Sequence, residues 1–358
     1  MYVTKNGLVI AAAIARSLPA PAIIRSRKDQ LRHRIFTGDA QMSFDQASLD
    51  SAGVFLIGEL EKLDQKLHMP LTSVTWNRDI DLREDVTIAD EVSSYTNSSF
   101  AAAGGLTPTG KAWISKDANA IPGIALDIGK TPRPLHLWGM EMKWTIPELL
   151  SAQALGRPID SQKLEGLKLK HNMDTDEMVY IGDTSKSATG MVNNASVSTT
   201  NVVNGVSTSP LWSAKTPDEI LSDINTLIST VWTNSAVAVA PGELRLPPLK
   251  FGYLAATKVS NAGNATLLEF VREKNLASVV NGKPLNVQPL KWLTGRGAGG
   301  TDRMMAYTRN PDYIRYPLVP LQRTPLEYRS LFQITTYFGR LGEVEIPYTE
   351  TVGYADGF

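Results

Sequence analysis

The chain has 358 residues, with 36 Lys and Arg against 36 Asp and Glu, so its formal net charge is zero. This balance gives no overall field that would attract nucleic acid or anionic lipid, and a hydrophobic content of 42% excludes a wholly disordered chain. The absence of cysteine excludes disulfides and thiolate metal sites, and it suits assembly in a reducing cytosol. No apolar run approaches the roughly 18 residues of a membrane span, so we expect no membrane partner.

The charge balance hides a basic N-terminal stretch. Residues 1–41 carry seven Lys or Arg against two Asp, a net charge of +5. Three interpretations stay open. The apolar run Leu8–Ile14 resembles an export signal, although Arg16 interrupts it. A start codon assigned too early would place the true start at Met42. A flexible basic arm over residues 1–48, able to contact phosphates, is the interpretation we favour.

Residues 49–88 change their hydrophobic period near Pro70. Apolar side chains recur at helical spacing over residues 49–67, which predicts a helix that ends before Pro70. From Val74 to Ile88 they occupy every second position instead, which predicts one long, half-exposed strand. The charged residues that this strand would place largely on its solvent side are Arg78, Asp79, Asp81, Arg83, Glu84 and Asp85.

The following segment predicts the rest of a long hairpin. Residues 93–120 are small, polar and glycine-rich, as in a flexible tip, and the alternation of Ile124, Leu126 and Ile128 predicts the returning strand. Because a hairpin of two strands is marginal in water by itself, we expect it to lie on another surface, most economically a neighbouring subunit. Leu135–Trp144 predicts a further strand.

A pair of helices comes next, and the chain is organised around it. Thr145 and Glu148 form a capping-box pattern that predicts a helix over residues 146–155. Pro158 can open a second helix that continues to about Ile181. At 1.5 Å per residue, roughly 24 residues give a rod of about 35 Å. Its apolar residues spread over more than one face, which indicates a largely buried scaffold rather than a reaction centre.

Beyond this rod, residues 183–216 are rich in Ser, Thr, Asn and Gly and predict a loop or a weak strand. Thr216–Glu219 then opens a helix, with Pro at its first position and acids in its first turn. Helices and strands alternate over residues 215–292, which predicts a compact α/β unit. Its further elements are strands at Val237–Ala240 and Glu243–Leu246 and helices at Pro247–Lys258 and Ala265–Lys274.

Strands predominate in the last part of the chain, from Leu285 onward. The predicted strands there are Arg303–Thr308, Tyr313–Pro317, Gln333–Phe338 and Gly342–Tyr348.

One glycine motif suggests a nucleotide site. Gly295, Gly297 and Gly300 satisfy the dinucleotide-binding spacing, but that site needs a helix directly after the glycines, so that its N-terminus faces the pyrophosphate. Met304–Tyr307 predicts a strand there instead. We therefore interpret the motif as a mobile loop without a cofactor.

The remaining polar residues form no catalytic pattern. The four histidines (His33, His68, His136 and His171) share no metal-ligand spacing. His171 lies within the long helix, where a solvated or hydrogen-bonded role is expected. The acids Asp174, Asp176 and Glu177 near its end can pair with Lys168 and Lys170 one to two turns earlier. We predict no catalytic residue, no metal, no cofactor and no enzyme activity.

Several runs resemble a known family. The end of the long helix, Asp174–Asp183, and the following Thr189–Asn193 resemble the helix exit, Gly-Asp turn and next strand of tailed-bacteriophage major capsid proteins. Thr216–Ile220 and Pro247–Lys258 resemble segments of the axial domain of that family. Closer similarity to a phage and prophage group of these proteins lies in Ser73–Ser93, Lys291–Arg303 and Pro317–Arg329.

This resemblance implies an α+β protein with the Hong Kong 97-type capsid fold, which encapsulin nanocompartments share. It covers nearly all of residues 42–358. The implied organisation is an N-terminal helix and lead-in, an extended loop, a peripheral domain with a long spine helix, an axial domain and returning strands. Their ranges are 49–75 for the lead-in, 76–130 for the loop, 131–214 for the peripheral domain, 158–181 for its spine helix, 215–300 for the axial domain and 301–358 for the returning strands.

By the same resemblance, the chain is expected to assemble with itself into hexamers and pentamers of an icosahedral phage head. Expected partners are a portal, decoration or scaffolding proteins, and packaged double-stranded DNA held by weak non-specific contact. The expected location is the virion, with assembly in the cytoplasm of a bacterial host. The residues expected at subunit interfaces are Trp76, Arg78, Asp79, Asp81, Arg83, Glu84, Phe100 and Trp113.

Two alternatives stay open. The same fold could form an encapsulin-like compartment around a protein cargo. The other alternative, which the residues favour least, is a nucleotide-binding protein that uses the loop at Gly295–Gly300.

Overall fold

A computed structural model describes residues 72–102, 116, 124–155, 159–260 and 265–358. The predictions for the basic arm, for the helix at 49–67 and for most of the hairpin tip lie outside these residues. The helices are α1 (Trp76–Asp79), α2 (Ile146–Leu155), α3 (Ile159–Tyr180), α4 (Pro217–Asn234), α5 (Pro248–Ala256), α6 (Leu267–Glu273) and α7 (Leu276–Asn281).

The strands of the described residues form two sheets and one hairpin. They are β1 (Asp81–Arg83), β2 (Val92–Ala102), β3 (Ile124–Pro134), β4 (His136–Thr145), β5 (Ser198–Asn201), β6 (Glu243–Leu246), β7 (Asn286–Pro289), β8 (Arg303–Tyr307), β9 (Arg315–Arg323), β10 (Glu327–Arg329), β11 (Phe332–Leu341) and β12 (Val352–Asp356).

The first sheet is built around β11. This strand pairs antiparallel with β4 along one side and with β9 and β10 along the other, and β1 adds parallel to β9. Alternate residues of β4 face α3, since the side chains of Met142 and Trp144 pack with Leu167 of that helix in a small core. Burial of this face positions the long helix against the sheet.

The second sheet has the strand order β5-β12-β8-β6-β7 and packs against α4 to α7. The predicted apolar face of α4 is buried in its core, with every member at most 1% exposed. These residues are Ile220, Ile224, Leu227, Ile228 and Val231.

The largest core lies where the end of α3 meets strands of both sheets. Val179 and Tyr180 are 0% exposed and pack there with residues of β8, β9 and β12. Gly182 ends the helix with φ +76°, a conformation that glycine adopts without strain. Gly190 is required by close packing, since a Cβ there would lie 2.2 Å from the carbonyl carbon of Tyr180. The resemblance at this helix exit thus has a physical basis.

Most predicted helices are confirmed, because their end signals are local. The capping box of Thr145 and Glu148 forms, with N–O distances of 3.4 and 3.2 Å, and α2 and α3 have the predicted extents. Thr216 and Glu219 form a second capping box at α4. The helices expected near Pro247–Lys258 and Ala265–Lys274 are present as α5 and α6.

The long strand predicted for Val74–Ile88 is wrong. The segment forms the single turn α1, the short strand β1 and further turns. Contacts from distant residues override the alternation, because Asp176 accepts hydrogen bonds from the amides of Thr75 and Trp76 at 2.8 and 3.1 Å. The hairpin is instead β2 paired with β3 over eleven residue pairs, so residues 93–102 are strand rather than tip.

Two other predicted strands are wrong. At Val237–Ala240 the chain turns, since Ala236 and Val237 have φ of 53° and 66°, which no strand allows. Gly342–Tyr348 has one isolated bridge, between Arg315 and Glu345, and no strand. The elements β10, β12 and α7 were not predicted. All three are short, with lengths of 3, 5 and 6 residues.

Candidate functional site

The hairpin β2–β3 exposes one apolar face. Ile124, Leu126 and Ile128 alternate along β3 on the same side and are 70%, 54% and 62% exposed. In the pairing register, Leu126 lies opposite Phe100 and Ile128 opposite Ser98. Because contiguous exposed apolar surface marks an interaction site, this face is a candidate contact surface.

A buried carboxylate fixes the base of this hairpin. Glu345 is 0% exposed and accepts hydrogen bonds from Arg83 at 3.1 and 3.2 Å and from Arg315 at 2.7 Å. The hydroxyl of Ser93, at the start of β2, also donates to Glu345. The hydrogen-bonded charge is therefore shared between β1, β9 and the hairpin, which fixes the direction in which the hairpin leaves the sheet.

A second carboxylate contacts the returning strand. Glu343 is 3% exposed and pairs with Arg133 of β3 at 2.9 Å. It also accepts hydrogen bonds from the amide and the hydroxyl of Thr189, at 3.0 and 2.7 Å, next to the C-terminal end of α3. Apolar and polar residues alternate in Gly342–Tyr348, the segment predicted as a strand, for another reason. Val344 and Ile346 enter the core, while Glu343 and Glu345 bind the hairpin.

A third charged cluster lies at the junction of the two sheets. Asp79 and Arg245 are both 0% exposed, and the guanidinium donates to the carboxylate at 2.9 Å. Arg78 donates to Asp79 at 2.7 and 2.9 Å. The hydroxyl of Tyr180 donates to the carboxylate of Asp79, and that of Tyr307 to its carbonyl at 2.8 Å. This cluster connects α1, α3, β6 and β8.

The charges of the junction determine its protonation. Burial favours the neutral form of Asp79, but the hydrogen bond from Arg78 and the charge of Arg245 outweigh it, and the pKa of Asp79 falls below its usual value. Burial raises the pKa of Tyr180 and Tyr307, so both hydroxyls keep the proton that they donate. The arrangement is an ion pair with satisfied donors, and it has no group poised to exchange a proton.

The expected interface residues of the lead-in differ in how deeply they are buried within the subunit. The solvent-side position predicted for Asp79 is wrong, because its side chain is fully buried within the subunit. Trp76 packs partly buried against the largest core. Asp81 and Arg83 are partly buried in ion pairs with Arg309 and Glu345.

The other expected interface residues remain candidates. Glu84 is exposed and has no ion pair within the described part of the chain. Phe100 belongs to β2, but its side chain is outside the described residues, and so is Trp113.

The residues considered for chemistry have structural roles. His171 is buried rather than solvated, its ring lies edge-on to Trp138 at 4.8 Å between centroids, and burial lowers its pKa. Lys170 pairs with Asp174 at 2.5 Å, as the helix-face prediction required. Asp176 accepts the indole N–H of Trp292 at 2.7 Å. Among the residues that the structure describes, no cluster of acids and histidines could hold a metal ion.

The glycine loop lacks the geometry of a nucleotide site. The strand β8 follows it, which confirms the sequence prediction. Its amides already bind carboxylates of the same chain: Gly295 N donates to Asp302 at 3.1 Å and Ala298 N to Asp356 at 3.0 Å. A Cβ on Gly297 would lie 3.0 Å from the carboxylate carbon of Asp356. An internal anion thus takes the place that a phosphate would need.

One candidate region was missed by the sequence analysis. A cavity of about 340 Å³ lies between α3 and the covered face of the first sheet, next to Trp144 and Arg323. The sequence predicted β4 as a strand, but the pairing of β4, β11 and β9 that forms the cavity depends on long-range register.

No helix in the described ranges combines the length and apolar character needed to span a bilayer. A family model of the major capsid protein matches residues 110–358. A comparison with curated proteins gives no match.

Solved structures agree in fold. The chain is similar to the capsid of Myoviridae phage XM1, with a TM-score of 0.66 and 15% identity over 84% of this chain and 98% of that one. It is similar to the capsid of an empty GTA particle, with a TM-score of 0.52 and 14% identity over 86% and 97% of the two chains. For Mycobacterium phage Adephagia the TM-score is 0.51 and the identity 8% over 84% and 96%.

The subunit is an α+β protein with two sheets and an exposed hairpin. The chain belongs to the major capsid protein family, because the family model matches well over half of it, and its fold is the Hong Kong 97-type capsid fold. Its role is structural: copies of it assemble into a capsid, as a component of the virion.

Proposed function

We propose that copies of this chain form hexamers and pentamers that close into an icosahedral shell around double-stranded DNA. Head-to-tail contacts, in which one surface binds a different surface of the next copy, generate such rings. A portal, decoration or scaffolding proteins and weakly held DNA are the further partners that we propose, with assembly in the cytoplasm of a bacterial host.

We assign the parts of the subunit by their position in the two sheets. The first sheet with α2 and α3 would be the peripheral domain (131–214), with α3 as its spine helix, and the second sheet with α4 to α7 the axial domain (215–300). The hairpin β2–β3 would be the extended loop. The residues after 300 would serve both domains, since β8 and β12 lie in the second sheet and β9 to β11 in the first.

The observation that carries the proposal is the exposed apolar face of the hairpin. Two strands cannot bury their own side chains, so Ile124, Leu126 and Ile128 stay in water unless another surface covers them. The buried Glu343 and Glu345 fix the base of the hairpin and hold this face ready for contact. A neighbouring copy is the surface that a shell supplies.

Of the expected interface residues, we retain Glu84, Phe100 and Trp113 as contact candidates and expect Asp79 to act within the subunit. We also propose that the protein performs no catalysis. The acids near the end of α3 are engaged in hydrogen bonds and an ion pair, except Glu177, which is exposed.

The test replaces Ile124, Leu126 and Ile128 together with Ser. Since these side chains are exposed, the variant should keep the far-ultraviolet circular dichroism and the melting temperature of the unchanged chain, while sedimentation shows no particles. A matched control replaces three exposed apolar residues of a loop, Val203, Val206 and Leu211, with Ser. This control should assemble normally.

Normal assembly of the hairpin variant would contradict the proposal. The cargo separates the remaining alternatives: nuclease-protected DNA in particles from the native source supports a phage head, whereas a protein cargo without DNA would favour a nanocompartment. Nucleotide binding in a thermal-shift screen, lost on substitution of Gly297, would favour the nucleotide alternative.

A further inference from the structure

The face of the first sheet that α3 covers contains a buried donor without an acceptor. Trp144 of β4 is 6% exposed, and its indole Nε1 has no hydrogen-bond partner among the described residues. Native structures leave few buried N–H groups unpaired, because an unpaired donor is costly once it is removed from water. The nitrogen has essentially no accessible surface, so an acceptor in the space beside it would reach it only if the ring turned.

The indole lines the cavity of about 340 Å³ between the sheet and α3, which we term the indole pocket. Met142, Leu164 and Leu326 give it apolar walls. Arg323 and Tyr337 line it as well, and the sheet register places these two residues opposite each other on β9 and β11. The pocket thus combines apolar walls with several hydrogen-bond donors.

The charge of the indole pocket is not balanced from within. No Asp or Glu lines it, and Arg323 is exposed without an ion pair in the described part of the chain. Lys163 lies over the ring of Trp144, at 5.8 Å from Nζ to the centroid, but it is already paired with Glu148 at 2.8 Å. A guanidinium without an ion pair, beside apolar walls that include the ring of Trp144 and no acid, suits a carboxylate.

We propose that the indole pocket binds a carboxylate side chain of a second copy of this chain, and that this carboxylate is Asp127. The inference rests on the proposed function, in which the hairpin reaches another copy. The described strands of the hairpin carry one carboxylate, and Asp127 is exposed with no partner there. Asp127 of the hairpin and Arg323 of the pocket thus carry opposite charges, and the basic residues of the same strand are Lys130 and Arg133.

The shape of the hairpin is compatible with this contact. Asp127 lies between Ala125 and Gly129 on the face opposite to Leu126, and such small side chains let a strand approach another surface closely. The apolar face remains available to a further copy. The hairpin therefore lies between two neighbours, and each of them covers one of its faces.

The test uses charge reversal in the full chain. Arg323→Glu and Asp127→Arg should each lower the yield of sedimenting particles about tenfold or more, because like charges then meet at the contact. The double variant Arg323→Glu with Asp127→Arg should restore most of the yield. The matched control is Arg329→Glu, an exposed arginine whose register partner Phe332 places it on the other face of the sheet, and it should assemble normally.

Three assembly results would overturn the inference. They are unchanged assembly of Arg323→Glu, unchanged assembly of Asp127→Arg, and a double variant that assembles no better than either single variant. Circular dichroism of each variant confirms that the fold is retained, which is expected because both side chains are exposed.

Failure of the unchanged chain to form particles would count against the proposed function instead. The pocket is then tested on the soluble chain with glutarate as the probe. In a spectrum of ¹⁵N-labelled indoles, one resonance, assigned by Trp144→Phe, should shift with glutarate, and Arg323→Glu should abolish the shift. No shift, or a shift with inorganic phosphate and none with glutarate, would overturn the inference.

Discussion

The junction at Asp79 differs from the hairpin and the indole pocket in whether its polar and apolar groups find partners within one chain. At the junction, the buried Asp79 and Arg245 find their partners within one chain. In the hairpin, Ile124 and its neighbours stay exposed, and in the pocket Trp144 Nε1 has no acceptor among the described residues. The first region can hold a single subunit together, and we propose that other copies complete the second.

The largest effect on the single subunit is expected from Asp79→Ala. It leaves Arg245 buried with only Glu243 as a charged partner, at 2.7 Å, so the free energy of unfolding should fall by about 3–5 kcal/mol. Urea titration of unassembled chain measures this. The control Asp81→Ala removes a partly exposed pair with Arg309 and should cost about 1 kcal/mol or less. Equal losses of unfolding free energy in both variants would contradict the claim that the buried ion pair matters more than the exposed one.

A smaller and more local effect is expected from Glu345→Gln at the base of the hairpin. The substitution weakens hydrogen bonds from Arg83 and Arg315, each charge-assisted, and should cost about 2–3 kcal/mol. Hydrogen exchange of the β2 and β3 amides should rise more than that of α4. Glu350→Gln, at an exposed position, is the control and should change neither quantity. Uniform exchange across all elements would contradict a role specific to the hairpin.

The smallest effect is a pH dependence from His171. Burial lowers its pKa below the unfolded value of about 6.5, although the charge of Asp174 acts against this. Below pH 6.5 the unfolded chain binds the proton first, so stability falls as the pH drops toward the lowered pKa and is fully present above pH 6.5. One proton gives at most about 1.4 kcal/mol per pH unit.

The variant His171→Phe keeps a ring against Trp138 and should remove this part of the slope in urea titrations below a pH of about 6.5. The pH dependence of stability that comes from Asp79 is separate. Its carboxyl pKa is lowered, so this contribution to stability is lost only at still lower pH. A slope that is unchanged in the variant would assign the effect to another group.

The elements that the sequence predicted well carry their signals locally. The capping box at Thr216, the proline after it and the apolar period of α4 lie within one helix, so no knowledge of the rest of the chain is needed. The same holds for Thr145 and α2. The α+β class and the family resemblance followed from such local elements in their order.

The failures occur where distant residues decide the backbone. Val74–Ile88 alternates like a strand, but Asp176, a hundred residues away in sequence, binds the amides of Thr75 and Trp76 and turns the chain. Asp79 was predicted on the solvent side because the sequence shows its charge. The sequence does not show that Arg245, 166 residues later, pairs with it. The indole pocket combines β4, α3, β9 and β11, so no single stretch reveals it.

Electron cryomicroscopy of the unchanged recombinant chain tests the central claim most directly. We predict closed shells built of hexamers and pentamers, with Ile124, Leu126 and Ile128 of each copy covered by a neighbour. A monodisperse monomer or dimer across salt and protein concentration, or shells in which these three side chains remain in solvent, would contradict the account.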